Sequence, residues 1–154
     1  MLTQLIYHSQ YVPGEYGALS TVRNILQTSE INNGRDGITG FLIFDKSHFL
    51  QILEGDIERV RRTLDRIKGD PRHRDLAFIA DGPIETRAFT DWAMGGYVRS
   101  SESQAVYARH GITGDLDLGA LTGATVVALA LDLLAFETAR QKQRVVGIDT
   151  HDPV

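Results

Sequence analysis

Two polar side chains stand at positions where a strand should carry apolar ones. Gln51 interrupts the run Phe49-Leu50-Gln51-Ile52-Leu53, and Tyr7 shares one face of the alternating stretch Leu2 to Ser9 with Leu5 and Ser9. A buried amide must satisfy two N–H donors and its carbonyl lone pairs, so Gln51 demands partners. The simplest account is a Tyr7–Gln51 hydrogen bond inside the core, which still leaves part of the amide unassigned. Asn32 and Asn33 precede Gly34, where paired asparagines commonly serve as left-handed caps. Arg66, Asp70 and His73 lie at and just beyond a helix end and read, taken alone, as a solvated terminus. Trp92 and Met94 are two apart in an extended run, hence on one face, the usual placement of core residues.

Other chemistries are absent from the pattern. The five histidines show neither i, i+4 pairing nor HExxH spacing, which argues against a metal site. No nucleophile elbow accompanies a Ser/His/Asp set, and the glycines form neither a dinucleotide fingerprint nor a phosphate loop.

The elements that must hold these residues follow from periodicity. A first strand spans Leu2 to Ser9 and breaks at Pro13-Gly14. From Leu19 the apolar residues Leu19, Val22, Ile25 and Leu26 recur at helical spacing, and Asn32-Asn33-Gly34 closes that helix. Ile38 to Phe44, a turn at Asp45-Lys46-Ser47 and the Gln51 strand make a hairpin. Asp56 caps a second helix with the stripe Ile57, Val60, Leu64 and Ile67, ended by Asp70-Pro71. Leu76 to Ala80 is a fourth strand, Gly82-Pro83 a break, and Ala93 to Val98 a fifth. The order βαββαββ predicts an α+β fold, a ferredoxin-like mixed sheet with two helices on one face. Residues 1–99 form this domain. Residues 100–154 form a helical extension: a short helix over Ser101 to Arg109, a turn-rich linker over His110 to Gly119, a helix from Leu121 to about Arg144, and a frayed end after Val146. The apolar first half of the long helix packs on the free sheet face or on another subunit.

With 154 residues and 42% hydrophobic content, one domain with a substantial core is expected. A net charge of −4 argues against non-specific nucleic-acid binding. Cysteine is absent, which removes disulfides and thiolate chemistry. The start MLTQLIYHSQ lacks the charged n-region and apolar run of a signal peptide. The longest apolar stretch, Ala124 to Phe136, contains Asp132 and falls short of the roughly 20 residues a membrane span needs. A soluble, cytoplasmic protein without membrane partners is expected.

Five blocks, taken in order, resemble the BLUF domains, blue-light sensors that use a flavin: LIYHS (Leu5 to Ser9), NNGRDGITGFLIF (Asn32 to Phe44), FLQILEG (Phe49 to Gly55), DPRHRD (Asp70 to Asp75) and RAFTDWAMG (Arg87 to Gly95). The resemblance runs from Leu2 to about Val98. It implies a flavin, FAD by family habit with FMN or riboflavin as alternatives, held between the two helices against Ile25 and Ile67. It places Gln51 between the ring and Tyr7, and Asn33 at the ring's carbonyl edge. Asn32, Arg66, Asp70 and His73 then face the remaining polar edge or the ribityl–phosphate chain. The implied photochemistry takes an electron and then a proton from Tyr7, and leaves the Gln51 hydrogen bonds rearranged by rotation or tautomerisation. Ser9, Trp92 and Met94 fall on the route by which the change reaches the fifth strand. The chain is then no enzyme but a short photoreceptor that signals through a separate effector protein or its own oligomer. The contrasting reading is a flavin-free ferredoxin-like binding or dimerisation module; a small flavin redox enzyme is disfavoured, because the candidate residues include no acid or base for an organic substrate.

Overall fold

Alternating apolar residues in the strands and a strong apolar stripe in the second helix produce one five-stranded sheet with helices on both faces. The computed structural model describes residues 1–91 and 93–143 in full, and residues 144–151 as helix backbone. The elements are β1 (Leu2–Tyr11), α1 (Ala18–Asp36), β2 (Thr39–Asp45), β3 (His48–Asp56), α2 (Ile57–Lys68), β4 (His73–Pro83), β5 (Gly95–Val98), a 3-10 turn at Ser101–Ser103, α3 (Gln104–Arg109) and α4 (Gly123–His151). The sheet order is β4-β1-β3-β2-β5. The first four strands are antiparallel to their neighbours and β5 runs parallel to β2, giving the expected mixed ferredoxin-like sheet.

Several boundaries differ from the sequence expectation, each for a physical reason. Helix α1 does not close at Asn32-Asn33-Gly34. It runs to Asp36 and ends at Gly37, whose left-handed φ of 67° lets its N–H reach the Asn33 carbonyl. Both asparagines therefore sit inside the last turns, and glycine rather than asparagine supplies the cap. Leu19, placed on the apolar stripe, is exposed, while Val22 is buried. Strand β4 continues through Gly82 and Pro83, tolerated because β4 is the sheet edge. Strand β5 begins at Gly95, so Met94 lies in the bend before it rather than in the strand, and the shared-face argument for Trp92 and Met94 does not apply; Trp92 lies outside the described residues. Helix α4 passes the expected frayed point at Val146 and continues to His151.

Strand alternation sorts the core into two layers. Leu5, Tyr7, Leu42, Phe49 and Leu53 face α1 and α2 together with Val22, Val60 and Leu64. Ile6, Phe41, Ile43, Leu50 and Ile52 face the other way and are covered by Val126, Leu129 and Leu133 of α4 and by Tyr107 of α3. The apolar half of α4 is thus spent on the sheet's second face, each buried leucine contributing about 1.5–3 kcal/mol of transfer free energy. Among the described residues no helix is long and apolar enough to cross a membrane.

Candidate functional site

The first layer is incomplete between the helices, and the gap is where the unusual residues meet. A cleft of about 160 Å³, floored by β1 and β3 and walled by α1 and α2, is lined by Tyr7, Ile25, Asn32, Asn33, Gln51, Arg66, Ile67, Asp70 and His73. Nine sequence-predicted residues thus share one cavity whose volume is on the order of that able to admit a benzene ring.

Its floor is set by strand register. Tyr7 lies directly across the β1–β3 ladder from Gln51, so their side chains emerge side by side on one face. Tyr7 Oη donates to Gln51 Oε1. Gln51 Nε2 then donates to Met94 Sδ at 3.5 Å, a weak acceptor. Tyr7 and Gln51 are each about 3% exposed. Burial, with a smaller push from the charge of Asp70, raises the Tyr7 phenol far above its ordinary range, which keeps it a proton donor at any physiological pH.

The walls come from helix spacing. Ile25 of α1 and Ile67 of α2 put aliphatic surface on either side. Asn33 is buried, lines the cleft, and donates through Nδ2 to the Ala93 carbonyl at 3.0 Å. At the far end His73 is clamped: Nε2 reaches the Ile67 carbonyl and Nδ1 faces Ser9 Oγ at 2.8 Å. Since a carbonyl can only accept, the neutral ring carries its proton on Nε2 and receives the Ser9 hydroxyl on Nδ1. Ser9 is buried beside the cleft without lining it. Arg66 leans outward, donating to Asp36 at 3.2 Å and to Thr63 Oγ1 at 3.2 Å.

Arg72 was missed by sequence reasoning. It lines the cleft and grips Asp70 through Nη2 at 2.6 Å and Nε at 3.0 Å, while Nη1 reaches Asn24 on α1. Burial pushes the Asp70 carboxyl upward, but the Arg72 hydrogen bonds and charge outweigh it, and the net shift is downward. The signal was available: Asp70-Pro71-Arg72 brings acid and guanidinium together across a turn, and it stands inside the DPRHRD block. Thr28, Ser29 and Thr63 also line the cleft and carried no sequence signal beyond polarity on a helix.

A family model described as "BLUF: Sensors of blue-light using FAD" matches residues 2–95, more than half of the chain. The chain belongs to the BLUF family. It is 30% identical over 93 residues to the photoactivated adenylate cyclase subunit beta of Euglena gracilis, covering 60% of this chain and 11% of that protein. It is 36% identical over 89 residues to the blue light- and temperature-regulated antirepressor BluF of Escherichia coli (strain K12), covering 58% of this chain and 22% of that protein. The chain therefore spans only a small part of these curated relatives. Among solved structures it resembles the photo-activated state of BlsA (TM-score 0.76, 27% identity, 87% of this chain and 95% of that one). It also resembles the dark state of the BLUF protein BlrB (TM-score 0.72, 29% identity, 87% and 96%). A third, Klebsiella pneumoniae BlrP1 with FMN and cyclic diGMP, matches over 64% of this chain and 26% of that one (33% identity, TM-score 0.58). The chain is thus a blue-light sensor of the flavin-using BLUF type, with FAD as the family's cofactor.

Proposed function

We propose that the cleft between α1 and α2 seats the flavin and that the Tyr7–Gln51 pair at its floor is the photochemical switch. The observation that carries this reading is the continuous chain Tyr7 Oη to Gln51 Oε1, then Gln51 Nε2 to Met94 Sδ, buried beneath the cleft. The residues suit a flat polar heterocycle. Ile25 and Ile67 offer aliphatic surface to its two faces. Gln51 has one N–H beyond the bond to a poor thioether acceptor, and Asn33 Oδ1 has no donor among the described residues. Each is a polar group lining the cleft that a ring edge bearing carbonyl and N–H groups would satisfy. Asn32, Arg66, Asp70 and His73 serve the remaining polar edge or the ribityl–phosphate chain, with Arg72 fixing Asp70. Ring contacts of this kind are common to FAD, FMN and riboflavin.

When bound and excited by blue light, a flavin supplies a strong one-electron oxidant at the cleft floor. Tyr7 is the phenol placed to yield the electron, and its proton has a ready path to Gln51 Oε1. Tyr7 and Gln51 are both buried, so the proton's nearest acceptor is the amide. Gln51 is the group that can settle differently afterwards. Rotation would exchange Oε1 and Nε2, so Tyr7 Oη would meet a donor and Met94 Sδ a carbonyl oxygen it cannot bond. Tautomerisation would likewise alter what the amide offers at both ends. The rearrangement is worth about 1–3 kcal/mol, the scale of one or two buried hydrogen bonds and of typical couplings between sites.

We assign residues 1–99 to sensing and residues 100–154 to a cap that carries the change outward. The chain works without substrate turnover, in the cytoplasm, through a separate effector protein and as a homo-oligomer. Relatives named as cyclase subunits or as an antirepressor support a signalling output. The test is absorption of the purified protein: a yellow chain whose flavin band moves slightly to the red under blue light and returns in darkness. A colourless chain would instead favour a flavin-free binding module, and bleaching by an electron donor without that shift a redox enzyme.

A further inference from the structure

The connection from β4 to β5 is anchored at both of its ends. Upstream, Glu54 of β3 accepts from Phe89 N at 2.9 Å and Ala88 N at 3.0 Å, while Arg87 donates to Thr39 Oγ1, the Glu54 carbonyl and the Gly37 carbonyl. Downstream, Gly95–Val98 pair with β2, and Gly96 lies under Leu26 of α1 so closely that a Cβ there would meet the leucine methyls at 2.7 Å. Between these anchors, Ala93 and Met94 have two polar ties among the described residues. One is Gln51 Nε2 to Met94 Sδ; the other is Asn33 Nδ2 to the Ala93 carbonyl. Both ties come from side chains that line the cleft.

They differ in strength. The Gln51 bond ends on a thioether at 3.5 Å, whereas the Asn33 bond is an ordinary amide–carbonyl contact of 3.0 Å. Asn33 is also well fixed, because its own carbonyl accepts from Gly37 N and from Ile38 N at 2.9 Å where α1 closes. Its planar amide joins two directions: whatever draws on Oδ1 from the cleft also orients Nδ2 toward Ala93.

We propose that Asn33 is a positioning residue that holds the Ala93 carbonyl from inside the cleft, so that a change at Gln51 displaces Met94 and β5 about a fixed point at Ala93 instead of slackening the whole connection. This rests on the flavin reading above and adds to it a second link, independent of Gln51, between the cleft and β5. Without the Asn33 tie, the light-driven change would dissipate before reaching the strand.

The experiment is hydrogen exchange of the flavin-loaded full chain in darkness and under blue light, reading the amides of Gly95–Val98. The light-minus-dark difference is normalised to the fraction of protein whose spectrum has shifted, because Asn33 also touches the cleft. Asn33→Asp keeps the shape and an acceptor but cannot donate to Ala93; Asn33→Ala removes both ends. The expected result is a light-dependent difference in the wild-type protein that falls about threefold or more in both variants, as loss of one hydrogen bond implies. A normalised difference equal to wild type in either variant overturns the proposal, as does a wild-type protein with no such difference. Loss of flavin from both variants would assign Asn33 to cofactor retention alone and also overturn it. A colourless wild-type protein overturns the flavin reading itself, a distinct result.

Discussion

The two faces of the sheet are built from the same strands and differ in what they tolerate. On the α1/α2 face, Tyr7, Ser9, Asn33 and Gln51 are buried polar groups beside a cleft. On the α4 face, the cluster around Phe41, Ile52, Leu129 and Leu133 is almost wholly apolar and packed shut. Its charged members are fully engaged: Glu54 accepts three N–H groups, from Gln4, Ala88 and Phe89, and Asp45 pairs with Arg99, whose guanidinium lies 4.3 Å from the Tyr107 ring centroid. On the closed face the Tyr107 hydroxyl has no hydrogen-bond partner among the described residues, whereas the polar groups of the α1/α2 face border room for another molecule. Under the proposed reading, one side would answer to light while the other keeps the molecule folded.

That division can be broken by experiment. Tyr7→Phe removes the phenolic proton and should abolish the reversible red shift outright while leaving the protein yellow; normal cycling, seen by absorption, would end the role given to Tyr7. Leu129→Ala, on the closed face, should lower unfolding free energy by about 2–5 kcal/mol through lost burial and a cavity. Its flavin spectrum should still shift in light, and a stable Leu129→Ala protein with no shift would show that the faces are not separate. Glu54→Gln turns an acceptor-only carboxylate toward three donors with one group that cannot accept, and chemical denaturation should reveal a loss of about 1–3 kcal/mol. The smallest effect concerns Asp70. Its carboxyl is held below the ordinary value, so its contribution is present above about pH 4 and is lost as pH falls through its lowered folded value. Screening at this half-open site keeps the contribution under about 1 kcal/mol. Denaturation midpoints of wild type and Asp70→Asn should differ at pH 6 and converge toward pH 3.

Strand alternation and the α2 stripe made the sheet, its two leading helices and their order legible, because burial on one face imposes a period that sequence displays directly. The Tyr7–Gln51 pair was legible for the same reason: each is a polar residue breaking an apolar rule. The end of α1 was not, since Asn-Asn-Gly and Gly37 are both credible caps, and the choice falls to Gly37 because Ile38 must enter the core. Nor was the start of β5, where Ala93-Met94 looks extended but tertiary ties to Asn33 and Gln51 hold it in a bend. Arg72 escaped because its value lies in a partner, Asp70, and in a cleft that only folding assembles. For cofactor contacts, pattern left the plain structural readings standing, and the five BLUF-like blocks tipped them toward a flavin.

Strand β5 has four residues, a single neighbour, and two glycines that bring no side-chain grip of their own. Strands β1 and β3 each run nine residues or more between two partners. An imbalance of about 1–3 kcal/mol, the scale of one or two hydrogen bonds, would act more readily on such a rim than on the middle of the ladder. If the proposed switch acts through β5, the signal would fall on the least tethered strand and leave the central ladder undisturbed.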